Sequence, residues 1–193
     1  MILKKFLSLA ALVTVYYLSI AACANYSSPE KITDFTLIDY NGKKHSLSDY
    51  KDSKAIVIMF IATECPVSND YNSRMESLSK KFSQKEIAFI GINSNKAESV
   101  EMIKEHAEEK GLTFTILKDE KNIIADKFEA SFTPEVYVLN SDFNILYHGR
   151  IDNARKESEV EVKDLENALN EILAGKEVTK KETKAFGCSI KRI

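Results

Sequence analysis

Ile56-Val57-Ile58-Met59-Phe60-Ile61-Ala62-Thr63-Glu64-Cys65-Pro66-Val67-Ser68 passes from an apolar run to a thiol and then a proline. The run from Ala55 to Ile61 contains no polar residue, which suits a strand covered on both faces. Pro66 fits the first position of a helix, where its missing N–H costs nothing. Tyr71, Met75, Leu78 and Phe82 continue that helix at helical spacing. Cys65 is therefore expected where a buried strand meets a helix, facing unpaired backbone N–H groups and the positive end of the helix dipole. Both favour the thiolate, which is the nucleophile. A buried structural cysteine is the ordinary alternative. Cys65, however, follows the end of the apolar run and stands beside charged Glu64, so its position favours redox or nucleophilic use. Glu64 opposes ionisation while the helix terminus promotes it, and the sequence leaves that balance open.

Outward from this stretch, strand and helix patterns alternate. Upstream, Phe35–Ile38 and His45–Leu47 flank Asn41-Gly42, a hairpin signal. Downstream, Ile87–Ile92 reads as a second buried strand. Asn95 with Glu98 three residues later has the form of a capping box, opening a helix through Val100, Ile103 and Ala107 that ends near Gly111. Thr113–Leu117 reads as a short strand, and Asp119 as the cap of a helix with Ile124 and Phe128. After Thr133-Pro134 come two strands, Val136–Leu139 and Ile145–His148, joined by a turn at Ser141-Asp142. Ser158 and Glu161 look like another capping box, opening a helix with Val162, Leu165, Leu169 and Ile172 that closes at Gly175. This order indicates one α/β domain with a mixed central sheet, flanking helices and an N-terminal β-hairpin. No internal repeat is visible.

The N-terminus reads as a targeting segment. Lys4 and Lys5 precede an uncharged apolar stretch, Phe6 to Ala22, that ends in Ile20-Ala21-Ala22-Cys23. Small residues before a cysteine at that point resemble a bacterial lipobox, in which Cys23 is lipidated and becomes the new N-terminus. An uncleaved anchor and a plain signal peptide cut after Ala22 are the alternatives. Each of the three sends the chain out of the cytoplasm, and the lipobox makes it a membrane-anchored envelope lipoprotein. Four parts follow: a signal peptide over 1–22, a tether over 23–31, the α/β domain over 32–175 and a tail over 176–193. Removing 22 residues from 193 takes away two lysines and no acid, so the net charge moves from −2 to −4. That gives no basic face for nucleic acid. Of three cysteines, Cys65 and Cys188 remain beside Cys23, a candidate pair in an oxidising compartment. The mixed-charge stretch Thr179-Lys180-Lys181-Glu182 reads as solvated tail.

The hairpin, the strand ending at Thr63-Glu64-Cys65-Pro66-Val67-Ser68 and the later Phe132-Thr133-Pro134-Glu135-Val136 together resemble the thioredoxin-like superfamily. Gly91-Ile92-Asn93-Ser94-Asn95, His148-Gly149-Arg150-Ile151-Asp152 and Gly187-Cys188-Ser189-Ile190-Lys191 resemble its peroxiredoxin-like, AhpC/TSA-type redoxin branch. The resemblance implies a thioredoxin-like fold, a redox-active Cys65, and a cis Thr133–Pro134 bond whose backbone receives an extended chain or small substrate. Two departures are plain. Ser68 stands where a thioredoxin has its second cysteine, so no local Cys-x-x-Cys disulfide can form. Ala62 stands where a peroxiredoxin has threonine, which here falls one residue later at Thr63. Arg150 is placed to supply the positive charge such a site uses, or else to pair with Asp152; the sequence does not choose between them.

The resemblance thus implies a thiol-based oxidoreductase in which Cys65 attacks a peroxide or a disulfide and Cys188 is the candidate resolving thiol. Lys176 to Gly187 is long enough to bring Cys188 across the domain, provided the tail docks or swings. An external thiol reductant or thioredoxin-like donor would close the cycle. No organic cofactor is implied. Metal binding is the weaker reading: envelope copper chaperones of the superfamily use two cysteines and a histidine, whereas Asn69 stands four positions after Cys65 in place of the second cysteine, and His148 or His45 paired with Cys65 would give only two ligands. The rival reading is a non-catalytic module that holds client proteins or peptides in the groove beside Pro134.

Overall fold

The computed structural model describes residues 29–193. The signal segment, Cys23 and the tether as far as residue 28 lie outside the described residues. Among the described residues no helix is long and apolar enough to cross a membrane.

A seven-stranded mixed sheet forms the centre. Its strands are β1 (Thr36–Asp39), β2 (Lys44–Ser46), β3 (Ala55–Phe60), β4 (Ile87–Asn93), β5 (Thr115–Lys118), β7 (Glu135–Leu139) and β8 (Ile145–Gly149), in the order β2-β1-β5-β4-β3-β7-β8. β3, β4 and β5 run parallel, and every other pairing is antiparallel. β6 (Phe132–Thr133) leaves this sheet and pairs with β9 (Cys188–Ser189). The helices are α1 (Pro66–Asp70), α2 (Asn72–Ser83), α3 (Val100–Lys110), α4 (Ile123–Phe128) and α5 (Asp164–Leu173).

Strand alternation divides the core between two faces. Ala55, Val57 and Met59 of β3 join Tyr71, Met75, Phe82, Ile103, Leu165 and Leu169 on one side. Ile56, Ile58 and Phe60 join Leu47, Ile124, Phe128 and Tyr137 on the other. Phe128 packs edge-on against Phe60 and Tyr137, with ring centroids 5.5 and 4.9 Å away. All six residues of β3 are buried, as a central strand requires.

Several boundaries differ from the sequence reading. The helix after Cys65 breaks at Tyr71 into α1 and α2. The Tyr71 phenol oxygen sits 2.9 Å from Asp152 Oδ1 and 2.8 Å from the Ala154 carbonyl. No capping box forms at Asn95 and Glu98: α3 starts at Val100 and is capped by Ser99, whose hydroxyl accepts from Met102 N. The N-cap position of α4 is Asn122, yet Asp119 Oδ2 still accepts the N–H groups of Ile124 and Ala125. Glu157–Glu159 forms only a 3₁₀ turn, and α5 begins at Asp164, leaving Val162 outside it. In the β1–β2 turn, Gly42 alone takes a positive φ, while Asp39 Oδ1 accepts from the backbone of Asn41 and Lys43.

The tail after α5 is docked: Val178, Thr183, Ala185 and Ile190 are buried, while Thr179, Lys180, Lys181 and Glu182 are exposed, as their mixed charge suggested. His148 N–H donates to the Lys181 carbonyl, and Thr183 N–H donates to the His148 carbonyl. The chain beyond α5 thus runs along β8, passes Cys65 at Cys188 and ends against Asn122.

Candidate active site

Cys65 is the N-cap of α1. Its backbone is extended (φ −79°, ψ 115°) and Pro66 is the first helical residue. Its Sγ lies 3.3 Å from Ser68 N, which donates to it, and 3.3 Å from the Thr133 carbonyl oxygen. With the disulfide reduced, the Ser68 N–H would stabilise a thiolate at this sulfur and the Thr133 carbonyl would accept from a thiol. Ser68, at the position of a thioredoxin's second cysteine, is fully buried, and its hydroxyl accepts from Ala62 N at 3.1 Å. It therefore holds the loop that carries Cys65 and takes no part in redox exchange.

Thr133–Pro134 is a cis peptide bond. β6 ends there, with Thr133 paired to Cys188 and Phe132 to Ser189. Cys188 forms a disulfide with Cys65 across 123 residues of sequence, with a Cα–Cα distance of 5.9 Å. Cys65 is buried and Cys188 is partly exposed. Gly187 makes the approach possible: its φ is +157°, and a Cβ there would lie 2.1 Å from the Thr133 carbonyl oxygen. Ile190 N–H donates to Ser131 O, and the buried Ile190 side chain joins the core of the second face. Cys188 is thus delivered by a strand already fixed on either side of it.

Of the other candidates, Thr63 is close in sequence but employed through its backbone. Its N–H donates to Glu98 and its carbonyl accepts from Asn69 Nδ2, while its buried hydroxyl makes no hydrogen bond. Arg150 is bound to Asp164, Nε to Oδ2 at 2.7 Å, and no contact joins it to Cys65 among the described residues. The alternative Arg150–Asp152 pair is also absent, because Asp152 receives Arg74 at 2.7 Å. A buried carboxylate beside Tyr71 was taken by the arginine on its own face of the fold. Tyr71 ionisation is pushed far up by burial and by its bond to Asp152.

Two groups at the site escaped the sequence reading. Glu135 follows the cis proline and is buried. Its Oε1 meets His148 Nε2 at 2.6 Å, and its Oε2 accepts from the N–H groups of Ser131 and Phe132, fixing the segment that precedes Thr133. Burial works to raise its pKa, but these donors outweigh it and hold the carboxyl below the usual range. Glu98 is the second; it and Asn95 carried the pattern of a cap, which disguised them. His45 lies with Tyr50 and Asp39, away from Cys65 in contact terms. Among the described residues no cluster of three or more His, Cys, Asp or Glu side chains is placed to hold a metal ion.

A helix-capping thiol, a cis proline against it and a second thiol on an adjoining strand form a dithiol centre on a thioredoxin-like scaffold. The AhpC/TSA family model matches residues 29–154. The chain belongs to the AhpC/TSA family. It is 35% identical over 112 residues to the thioredoxin-like protein YneN of Bacillus subtilis, an alignment covering 58% of this chain and 64% of that protein. The chain thus spans just under two thirds of that relative's length. A crystal structure of an uncharacterised conserved protein from Geobacillus kaustophilus superposes with a TM-score of 0.80 at 32% identity, covering 87% of this chain and 93% of the other. A putative thiol:disulfide interchange protein DsbE from Chlorobium tepidum shares the fold, with a TM-score of 0.64 at 18% identity over 76% of this chain and 98% of its own. The family match ends at residue 154, so the strand bearing Cys188 lies beyond it.

Proposed function

We propose that this protein is a thiol-based oxidoreductase of the cell envelope, using Cys65 as the nucleophile and Cys188 as the resolving thiol. With a peroxide, the Cys65 thiolate attacks one oxygen, the S–O bond forms as the O–O bond breaks, and the departing oxygen takes a proton and leaves as alcohol or water. The Cys188 thiol then displaces hydroxide from the sulfenic acid, giving the disulfide and water. With a disulfide substrate, Cys65 forms a mixed disulfide and releases one thiolate, and Cys188 displaces the other. Two electrons and two protons from an external dithiol restore the pair.

The observation that carries this reading is the Cys65–Cys188 disulfide formed by a docked strand. The same strand counts against a client-binding module, because β9 fills the edge of β6 beside Pro134 where a client would pair. Arg150 and the Thr63 hydroxyl have no part in the chemistry proposed. The envelope location rests on Lys4-Lys5, the apolar run and the Ile20–Cys23 motif. It makes Cys23 the lipid-bearing N-terminus; Cys23→Ser should release a soluble form or stall processing, and a full-length, membrane-bound variant would refute lipidation. For the chemistry, oxidise reduced protein with one equivalent of hydrogen peroxide or of diamide and digest it without reductant. The Cys65–Cys188 crosslinked peptide is expected, and Cys188→Ser should slow turnover. A Cys188→Ser variant as fast as the parent, with no crosslink in the parent, would refute the resolving role.

A further inference from the structure

Asn95 and Glu98 are spaced as a capping box, yet neither caps α3. Both are buried and both point elsewhere. Glu98 Oε2 accepts from Thr63 N at 2.6 Å and Asn93 Nδ2 at 2.5 Å. Its Oε1 accepts from Glu64 N at 3.3 Å and Asn95 Nδ2 at 3.1 Å. One carboxylate thus gathers the two peptide N–H groups that immediately precede Cys65. Asn95 extends the connection. Its Oδ1 accepts from Lys191 N at 2.8 Å, three residues beyond Cys188, and Lys96 N donates to the Lys191 carbonyl at 2.8 Å. The Lys118 ammonium, also buried, holds the Asn95 carbonyl at 2.7 Å and fixes the loop from beneath. A continuous chain of hydrogen bonds therefore runs from the loop of Cys65 to the strand of Cys188 without passing through either sulfur.

A disulfide closes only when both Cα atoms are held within a narrow separation. A strand tied to the same rigid group as its partner loop spends more of its time at that separation, which raises the effective concentration of one thiol at the other. We propose that Glu98 and Asn95 are positioning residues for the redox pair, holding the Cys65 loop and the Cys188 strand in one frame and so setting how readily the disulfide closes. This rests on Cys65 and Cys188 being the working dithiol. It adds that the clamp is made with the tail docked and is given up when the reduced tail leaves, so each of its bonds favours the closed pair.

The test is a double-variant cycle read as a redox equilibrium. Full-length parent, Asn95→Ala, Lys191→Pro and the double variant are equilibrated with mixtures of reduced and oxidised dithiothreitol, acid-trapped, and scored for free thiols by alkylation and mass. Lys191→Pro removes the N–H that meets Asn95, and should move the equilibrium towards the dithiol by about fivefold, the worth of one ordinary hydrogen bond. Asn95→Ala should move it at least as far. The double variant should match Asn95→Ala, since both substitutions break the same bond. Lys191→Ala keeps the N–H and should behave as the parent. A residue that merely supports the fold would lower the melting temperature of both redox states and leave the equilibrium in place. Asn95→Ala with the parent's equilibrium, or shifts that multiply in the double variant, would overturn the inference while the dithiol reading stood. A parent that forms no Cys65–Cys188 disulfide would overturn both.

Discussion

Replacing Gly187 with alanine tests the docked strand most sharply, because the added methyl group has no room. Its Cβ would fall 2.1 Å from the Thr133 carbonyl oxygen and 2.7 Å from the carbonyl carbon, both backbone atoms of β6. Cβ atoms do not approach other heavy atoms within 3.0 Å, so β9 must retreat by roughly an ångström. Added along the Cys65–Cys188 direction, that takes the 5.9 Å Cα separation to the edge of the ~6.8 Å that ordinary disulfides span. The retreat also breaks the Thr133–Cys188 pairing and pulls Ile190 N from Ser131 O. Two backbone hydrogen bonds at about 1 kcal/mol each correspond to a shift of roughly 30-fold towards the dithiol. The assay is the fraction of disulfide at equilibrium with dithiothreitol, measured beside thermal melts of the reduced forms. Gly175→Ala is the control: its φ of +68° also strains an L side chain, but a Cβ there meets nothing within 4 Å. Gly175→Ala should lose stability and keep the parent's redox equilibrium. If Gly187→Ala also keeps it, the tail does not deliver Cys188 by pairing with β6, and the reasoning fails.

Three further outcomes follow from the same geometry. Ser68→Ala leaves the buried Ala62 N–H without its acceptor and should cost about 1–3 kcal/mol in denaturant unfolding, whereas a redox role for Ser68 would show in turnover instead. Asp152→Ala strands the buried Arg74 guanidinium, and should destabilise by about 3–5 kcal/mol, more than Arg150→Ala at its partly exposed site. Glu135, its pKa held down in the folded protein, should contribute stability that is full above the ordinary glutamate value of 4.5 and is lost as pH falls through the lowered one; a Glu135→Gln variant whose stability tracks the parent's across acid pH would contradict this.

What the sequence made legible was whatever depends on near neighbours. The apolar run of β3, the thiol at its end and Pro66 behind it specify a strand, an N-cap and a first helical turn within a dozen residues, and the structure places each there. The cis Thr133–Pro134 bond against Cys65 came from the resemblance, since nothing local demands it. What was misread depends on partners far along the chain. Tyr71 satisfies helical periodicity, but its phenol is drawn to Asp152, 81 residues away, and the helix breaks. Glu98 looks like a cap because it lies three residues from Asn95, but its carboxylate reaches Thr63 N at 2.6 Å, 35 residues upstream. Arg150 sits one residue from Ile151 and two from Asp152, yet takes Asp164 as its counter-ion because Arg74 and Tyr71 already hold Asp152. In the tail, the mixed charge of residues 179–182 marked the exposed part correctly, but the buried Val178, Thr183, Ala185 and Ile190 form no sustained periodic run that would announce docking.

The loss of a Cys-x-x-Cys pair changes which sulfur a reductant meets. In a local pair both thiols belong to one helix turn, and the geometry of that turn fixes their separation. Here the second thiol comes from β9, so the helix keeps one duty, stabilising the Cys65 thiolate through Ser68 N–H, and the sheet and the Glu98–Asn95 clamp take over positioning. Thiol–disulfide exchange needs the attacking thiolate to reach one sulfur while the other departs as the better-stabilised anion. Cys65 is buried and is itself the N-cap of α1, and Cys188 is partly exposed. Attack is therefore expected at Cys188, with Cys65 leaving as the thiolate that begins the next cycle. Equimolar glutathione added to the oxidised protein and quenched early should give a mixed disulfide on the Cys188 peptide. Glutathione found first on the Cys65 peptide would mean that the tail undocks before reduction, and the strand would then be a gate to the nucleophile, not its fixed partner.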